Sequence, residues 1–169
     1  MSAQVKRFIR VDHAGEYGAE RIYAGQLAVL GRGPKGEMLR HMLAQETAHK
    51  TAFEALIAQR RVRPTALLPL WHVAGFALGA ITAALGEKAA MACTVAVEET
   101  IDAHYAAQHD TLGADEQGLK DKIEAFRQEE LEHREIGLAH GAEQVLGYRL
   151  LSGLIRTGCK AAIKISEVI

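Results

Sequence analysis

Cysteine and proline are scarce in this sequence, and each scarcity excludes a class of structure. Cys93 and Cys159 are the only cysteines, lie far apart and sit in apolar stretches, so neither a disulfide framework nor a thiolate metal site is expected. We interpret both as buried, reduced thiols. Only three of 169 residues are proline, and alanine, leucine, glutamate and glutamine dominate long stretches, so an all-α protein is predicted.

Charge of one sign is not in excess either. A formal net charge of -1 gives no overall basic excess for binding phosphates, so no nucleic acid partner is expected. Residues 1–10 mix charged and apolar side chains without the apolar core of a secretion signal, which favours a reducing compartment. No transit peptide is evident, which favours the bacterial cytoplasm. The length and the hydrophobic content predict a single domain over residues 1–169.

Glycine and proline divide the chain into predicted helices. These cover residues 10–30, 37–61, 65–85, 87–112 and 115–141, and a further helix follows Gly147. Gly31, Gly33 and Gly36 spell GxGxxG, but a dinucleotide-binding loop follows a strand, whereas these glycines follow a predicted helix. We therefore interpret them as a turn between two helices.

Two segments raise the question of a membrane. Residues 65–85 are almost uncharged and approach the length of a membrane span, but Pro69, His72 and several glycines favour an apolar helix that packs in the bundle or rests on a membrane. The last helix places Arg149, Arg156, Lys160 and Lys164 on one stripe and Leu151, Leu154, Ile165 and Ile169 on the far side. The basic stripe fits either an anionic bilayer or the solvated face of a core helix.

The strongest signal is a pattern that occurs twice, in which a helix with one inward-capable glutamate precedes a helix with Glu-x-x-His. The lone and motif glutamates are 30 residues apart in one copy and 32 in the other. Residues three apart on a helix share a face, so each Glu-x-x-His pair can point into a bundle. The pattern consists of Glu16, Glu46 and His49 in the first copy and Glu98, Glu130 and His133 in the second.

Four inward carboxylates predict a metal site. In a dry core they would be strongly destabilising unless cations neutralised them or they took up protons, and two divalent iron ions would neutralise all four. Glutamate oxygens with one imidazole per metal are the ligands of di-iron and di-manganese carboxylate bundles. We therefore predict a ferritin-like four-helix bundle with an additional apolar helix and a C-terminal amphipathic helix.

Neighbouring acids leave the ligand choice partly open. Glu99 lies beside Glu98, and helical phase does not separate the two cleanly. Glu129 and Glu132 have no histidine three residues further on, so we interpret both as solvated.

Two acids in the first predicted helix also have alternatives. Glu20 can point inward, but an exposed pairing with Arg21 or another surface charge is favoured. Asp12, one turn before Glu16, is either a hydrogen-bond acceptor behind the metal ligands or a helix N-cap.

Over nearly its whole length the sequence resembles the 5-demethoxyubiquinone hydroxylase family, which are carboxylate-bridged di-iron enzymes. The resemblance lies in RVDHAGEYGAERIYAGQLAVL from Arg10, QETAHKTAFE from Gln45, RVRPTALLPLWHVAGFALGA from Arg61, MACTVAVEETIDAHY from Met91 and EELEHREIGLAHGAE from Glu129. It implies the metal ligands Glu16, Glu46, His49, Glu98, Glu130 and His133, and so selects Glu98 over Glu99. It also places His104 and Tyr105 near the iron and the quinone, where the residues alone allow core roles.

The resemblance implies a di-iron monooxygenase that hydroxylates the ring of 5-demethoxyubiquinone (demethoxyubiquinol) in ubiquinone biosynthesis. Its implied cofactors are two iron ions (Fe²⁺/Fe³⁺), with O2 as co-substrate and electrons from an external reductant. Residues 71–85 would help to form a hydrophobic route for the polyprenyl quinone tail. The implied location is peripheral, on the cytoplasmic face of the bacterial inner membrane or the matrix side of the mitochondrial inner membrane, with other ubiquinone-synthesis proteins as candidate partners.

Two other functions share parts of the pattern. A ferroxidase or a rubrerythrin-like peroxidase would use the same ligands without a quinone, but the sequence has no CxxC pair for a rubredoxin-type iron. A non-enzymatic quinone- or lipid-binding membrane adaptor would not need the complete six-ligand set.

Overall fold

Six α-helices make up most of residues 2–169, the part of the chain that the computed structural model describes. They are α1 (Ala3–Leu30), α2 (Gly33–Arg60), α3 (Leu68–Ala84), α4 (Glu87–Thr111), α5 (Gln117–Ala139) and α6 (Tyr148–Ser166). Short 3₁₀ turns precede α5 and α6, and no strand occurs among these residues. The predicted all-α, ferritin-like class with two additional helices is confirmed.

The first helix starts seven residues earlier than predicted because Ser2 caps it. The Ser2 hydroxyl accepts a hydrogen bond from the Val5 backbone N–H at 3.1 Å, which satisfies one of the free donors of the first turn. Asp12 therefore lies inside α1 and is buried, so the interpretation of Asp12 as an N-cap is wrong.

The GxGxxG glycines allow α1 and α2 to join through only two residues. A Cβ atom on Gly36 would collide with the Gly31 carbonyl, and Gly33 has a φ of 67°. Arg40 donates a hydrogen bond to the Gly31 carbonyl oxygen at 2.6 Å. The predicted turn between the two helices is confirmed but is shorter than predicted, because Gly33 and Gly36 belong to α2, which begins four residues before the predicted position.

The helices α2 and α5 each bury one stripe with spacings of three and four residues. In α2 the stripe is Leu39, Met42, Glu46, His49, Phe53 and Leu56. In α5 it is Leu119, Ile123, the half-buried Phe126, Glu130, His133 and Gly137. Glutamate and histidine thus occupy core positions that a bundle helix normally fills with apolar side chains.

Two helical hairpins form the bundle, one from α1 and α2 and one from α4 and α5. Every residue from Ala89 to Glu98 of α4 is buried. The apolar helix α3 lies along α1 at backbone contact, because Cβ atoms on Gly25 or Gly79 would collide with the backbone of the other helix. None of the described helices combines the length and the apolar character that crossing a membrane requires.

The C-terminal helix α6 packs on α4 through a face that the sequence pattern did not predict. Ser152 and Ile155 are buried, and Cys159 is half-buried beside them, whereas Leu154 and Ile165 are 65% and 43% exposed. The apolar side opposite the basic stripe is therefore largely open rather than packed. The helix has three faces: one buried, one basic and one exposed and apolar.

Candidate metal centre

Two groups of buried acids and histidines meet between the four long helices. One group is Glu16, Glu46, His49 and Glu130, and the other is Glu46, Glu98, Glu130 and His133. Within each group, one ligand atom from every residue lies within 4.8 Å of the others. No side chain of the six residues is more than 1% exposed. The structure therefore brings together all six residues that the repeated pattern predicts.

The two groups share Glu46 and Glu130. Glu16 belongs only to the first group and Glu98 only to the second, and each group contains one histidine. This arrangement fits two metal ions that each take one histidine and one lone glutamate and share two bridging carboxylates. It is the ligand set of the carboxylate bundles.

The unpaired polar atoms of this cluster fit such ions. Eight buried atoms have no hydrogen-bond partner outside the cluster: both carboxylate oxygens of Glu46 and Glu130, Oε2 of Glu16 and Glu98, and Nδ1 of His49 and His133. Unpaired buried polar atoms are rare in folded proteins, and a cluster of them calls for a missing ion or water. Carboxylate and imidazole donors suit divalent iron or manganese.

The outer nitrogens of both histidines are hydrogen-bonded. His49 Nε2 lies 3.1 Å from Glu129 Oε2, and His133 Nε2 lies 2.9 Å from Gln45 Oε1. Both partners are acceptors, so each Nε2 carries a hydrogen and each Nδ1 is the nitrogen that faces the cluster and can bind a metal in place of a proton. Glu129 is only partly the solvated acid that was predicted, because its side chain is 39% exposed while its Oε2 also accepts from Gln45 at 2.9 Å.

Two tyrosines hold the lone glutamates, each from the opposite hairpin. Tyr23 of α1 donates to Glu98 Oε1 at 2.6 Å, and Tyr105 of α4 donates to Glu16 Oε1. Each tyrosine follows the lone glutamate of its own helix by seven residues. Tyr23 was missed at the sequence level, although this repeated spacing would have identified it.

The other candidate acids lie outside the cluster. Glu99 pairs with Arg156 at 3.0 Å, and Glu20 forms an ion pair with Lys50. Glu132 is exposed, as predicted.

Asp12 is placed beside His104 rather than behind a metal-facing histidine. Its Oδ1 accepts from Gln108 Nε2 at 2.6 Å and lies 3.4 Å from His104 Nε2. Its Oδ2 is buried without a partner. The polar group of Asp12, His104 and Gln108 therefore adjoins the cluster as a separate unit.

Without metal, the cluster holds protons. Burial raises the pKa of Glu16, Glu46 and Glu98. Burial alone would lower the pKa of His49, but hydrogen bonds to Glu130 and Glu16 outweigh it and raise this pKa to about 10. Burial opposes the ionisation of Glu130, yet His133 and His49 lower its pKa to about 2.

An apolar cavity of about 520 Å³ lies between α1, α3, α4 and α6, next to the cluster. Trp71, Ala74, Gly75 and Leu78 line it from α3, and the exposed Leu154 lies at its rim.

A small pocket of about 20 Å³ adjoins both the cavity and the cluster. Glu16, His104 and Tyr105 line this pocket, and four residues line both spaces: Val11, Gly15, Ile101 and Ile163. A hydrophobic molecule in the cavity would therefore have its inner end beside these polar side chains.

The family model of the ubiquinone biosynthesis protein COQ7 matches residues 3–166. The chain belongs to the COQ7 family. It is 62% identical to the 3-demethoxyubiquinol 3-hydroxylase of Rhodospirillum rubrum, covering 98% of this chain and 79% of that protein. It is 54% identical to the NADPH-dependent 3-demethoxyubiquinone 3-hydroxylase, mitochondrial, of Homo sapiens, covering 98% and 78%. It is 40% identical to the 5-demethoxyubiquinone hydroxylase, mitochondrial, of Saccharomyces cerevisiae, with the same coverage.

The resemblance seen in the sequence is thus confirmed. The COQ7 match covers the helices that carry both copies of the pattern, together with α3 and α6. Membership in this family does not favour the ferroxidase or the peroxidase, and the relatives named above are hydroxylases.

Metal binding by this COQ7-family chain is expected to strengthen as pH rises from about 5.5 to about 7.5, by up to roughly tenfold per pH unit for each proton displaced. The raised pKa values of Glu16, Glu46, Glu98 and His49 mean that an incoming cation competes with protons, and fewer protons remain at higher pH. The metal-free protein is expected to lose stability over the same range, because its folded state binds more protons than its unfolded state at the three glutamates.

Anaerobic titration with Mn²⁺ at fixed ionic strength, together with thermal unfolding of the metal-free protein, measures both effects. A metal affinity that stays constant over this pH range would contradict the expectation.

Proposed function

We propose that this chain hydroxylates the ring of a demethoxyubiquinol in ubiquinone biosynthesis, using O2 and two iron ions. The observation that carries the proposal is a dinuclear set of carboxylates and imidazoles beside an apolar cavity. Three relatives are named as hydroxylases of demethoxyubiquinol or demethoxyubiquinone.

The six residues of the cluster would hold the iron. Glu16 and His49 would bind one ion, Glu98 and His133 the other, and Glu46 and Glu130 both, as the two groups indicate. Bound there, reduced iron would supply the activation of O2, which protein side chains alone do not perform. The chain itself holds the ligands in fixed positions, because every helix that carries one packs in the core. It also shields the site from water.

The quinone would enter through the apolar cavity. Its lining from α1, α3 and α6 suits an isoprenoid tail. Moving the apolar surface of the tail from water into the cavity favours binding by about 25 cal/mol per Å². The ring would then lie at the inner end, beside the small pocket. This gives α3 the role in tail binding that the resemblance implies.

Tyr105 and His104 would act at the ring end of this route. Burial and the nearby Glu16 raise the pKa of Tyr105 well above its usual range, so its hydroxyl stays protonated and fixes Glu16 through a hydrogen bond. His104, held by Gln108 at 2.7 Å and beside Asp12, lines the small pocket where a ring hydroxyl would arrive. We propose that His104 holds a proton beside the oxygen of this ring hydroxyl.

Electrons would come from an external reductant. The human relative is named as NADPH-dependent, and we propose a reduced nicotinamide as the source for this chain as well. Each hydroxylation needs two electrons in addition to the two that the substrate provides, because O2 is reduced by four electrons to one hydroxyl oxygen and one water.

The exposed apolar side chains near the cavity would bind a membrane surface. Val73 of α3 directly precedes the lining residue Ala74 and is 66% exposed, and Leu150 of α6 lies one turn before the lining residue Leu154 and is 70% exposed. Lys160 and Lys164 of α6 are also exposed. An apolar surface with basic residues suits peripheral binding to an anionic bilayer. A quinone dissolved in the bilayer would then reach the cavity without crossing water.

The double variant Val73→Ser, Leu150→Ser is expected to bind phosphatidylcholine–phosphatidylglycerol vesicles about tenfold or more weakly. Each serine removes apolar surface that the membrane would otherwise bury. Vesicle flotation measures the change. Val29→Ser, at an exposed position of α1 seven residues beyond Ile22, the last residue of that helix that lines the cavity, is the matched control and should bind like the parent protein. Equal flotation of the double variant would rule out this surface as the membrane contact.

The function is tested by turnover with the purified, iron-loaded protein. It is incubated with a demethoxyubiquinol, reductant and ¹⁸O2, and the product is analysed by mass spectrometry. We expect a hydroxylated ring with one labelled oxygen, and loss of this product in His133→Ala but not in the exposed control Glu132→Ala of the same helix. No product from the iron-loaded parent protein, or full turnover by His133→Ala, would overturn the proposal.

A further inference from the structure

Two residues outside the ligand set occupy matching positions in the duplicated pattern. Gln45 immediately precedes the motif glutamate Glu46, and Glu129 immediately precedes Glu130. Consecutive residues of a helix point about 100° apart, so these two side chains lie at the edge of the buried stripe rather than within it. Both are half-buried.

Each of these side chains reaches across to the histidine of the other half. Gln45 of α2 contacts His133 of α5 at 2.9 Å, and Glu129 of α5 contacts His49 of α2 at 3.1 Å. The two also contact each other, through a hydrogen bond from Gln45 Nε2 to Glu129 Oε2 at 2.9 Å. Four side chains thus form one continuous chain of hydrogen bonds along the outer side of the cluster.

The chemistry of the four groups fixes the direction of every bond. A carboxylate only accepts, so Glu129 receives hydrogens from both Gln45 and His49. The Gln45 amide nitrogen is used as a donor, so its oxygen accepts from His133. Both imidazoles therefore carry hydrogen on Nε2 and turn Nδ1 toward the cluster, where Nδ1 of His49 lies 3.1 Å from Glu130 Oε1 and Nδ1 of His133 lies 3.1 Å from Glu46 Oε1.

We propose that Gln45 and Glu129 are positioning residues that couple the two metal sites. Because the pair bonds to both imidazoles and to itself, it sets the tautomer and the orientation of both histidines together. A change at one histidine is transmitted to the other through the Gln45–Glu129 bond. The inference rests on the proposed metal centre and assigns a role to two residues beyond its ligands.

A reciprocal exchange tests the hydrogen-bond pattern. Gln45→Glu alone sets two carboxylates against each other at a contact that is now 2.9 Å, so the link between the histidines breaks. Adding Glu129→Gln restores it: the new carboxylate accepts from His133 and from the new amide, whose oxygen accepts from His49. Gln45→Leu removes the link without adding charge.

Anaerobic titration with Co²⁺, followed by its visible absorption, measures affinity and stoichiometry independently of turnover. We expect Gln45→Glu and Gln45→Leu to weaken Co²⁺ binding about 10- to 100-fold at both sites and to change the absorption spectrum, since loss of an outer partner typically has this effect. The double variant Gln45→Glu, Glu129→Gln should recover the affinity and the spectrum of the parent protein. Glu132→Gln, an exposed position on the same helix, should leave both unchanged.

Three results would overturn the inference. Parent-like Co²⁺ binding by both Gln45→Glu and Gln45→Leu would show that the pair does not position the histidines. A double variant as weak as the single variant would show that packing, rather than the hydrogen-bond pattern, matters. A parent protein that binds no Co²⁺ would remove the metal centre itself, which separates that failure from the failure of this inference. Should Gln45→Glu not fold, Gln45→Leu provides the same comparison.

Discussion

Glu46→Gln is expected to abolish binding of both metal ions while it stabilises the metal-free protein. Glu46 belongs to both ligand groups, so its loss affects both sites, and the affinity should fall by more than the roughly 100-fold that is typical of losing an outer partner. Burial raises the pKa of Glu46 well above its usual range, and neighbouring carboxylates add repulsion. A neutral amide of the same shape avoids the cost of either burying the charge or taking up a proton, about 1–3 kcal/mol by comparison with replacements of other buried ionisable groups.

Thermal unfolding with and without Mn²⁺ measures both halves of this prediction. A gain of about 1 kcal/mol corresponds to roughly 2–4 °C for a chain of this size. The parent protein should show a large upward shift with Mn²⁺, and the variant none. Glu132→Gln, an exposed acid of α5, is the control and should keep the metal-dependent shift. A Glu46→Gln protein that is destabilised without metal, or still stabilised by Mn²⁺, would contradict the metal-centre assignment.

Gly15→Leu is expected to reduce hydroxylation of a demethoxyubiquinol by about a hundredfold or more, because misplacing the reacting groups by about 1 Å costs that much. Gly15 lines both the apolar cavity and the small pocket, and a Cβ atom there would meet nothing within 4 Å. No packing contact therefore requires glycine inside α1, where it destabilises the helix by about 1 kcal/mol relative to alanine. A leucine side chain would instead fill the passage between the cavity and the cluster.

Metal binding separates obstruction from damage to the cluster. Gly15→Leu should bind Mn²⁺ as the parent protein does, and Gly15→Ala should be slightly more stable and retain most activity. Gly153→Leu is the matched control, because Gly153 lies in α6, is exposed, has open space around it and does not line the cavity. Full turnover by Gly15→Leu would show that the quinone reaches the cluster by another route.

The helical class and the meeting of the two Glu-x-x-His pairs were predictable from the sequence because both depend on local periodicity. Helical phase alone left Glu98 and Glu99 open, and the family resemblance selected Glu98. Glu46 and His49 interrupt an apolar stripe at three- and four-residue spacing, and Glu130 and His133 repeat the interruption in α5. A duplicated interruption of this kind has few explanations besides a shared metal site.

Contacts between the halves were not predictable in the same way. The reach of Gln45 to His133 and of Glu129 to His49 depends on how α2 and α5 pack, which no single-helix pattern contains. The donation from Tyr23 to Glu98 has the same origin. The matching positions of these residues in the two copies were the available signal.

The C-terminal helix shows a second limit of pattern reading. Its basic stripe and its opposite apolar side suggested two faces, but the buried face, with Ser152 and Ile155, lies between them. The surface that packs on α4 uses small and mixed residues, so hydrophobicity alone did not identify it.

Anomalous diffraction at the iron absorption edge, from crystals of the iron-loaded protein, tests the central claim most directly. We expect two peaks per chain, about 3.5–4 Å apart as in other two-metal sites, with Nδ1 of His49 beside one and Nδ1 of His133 beside the other. Both peaks should lie between Glu46 and Glu130. A single peak, or iron bound away from these side chains, would contradict the dinuclear centre and the hydroxylase that we derive from it.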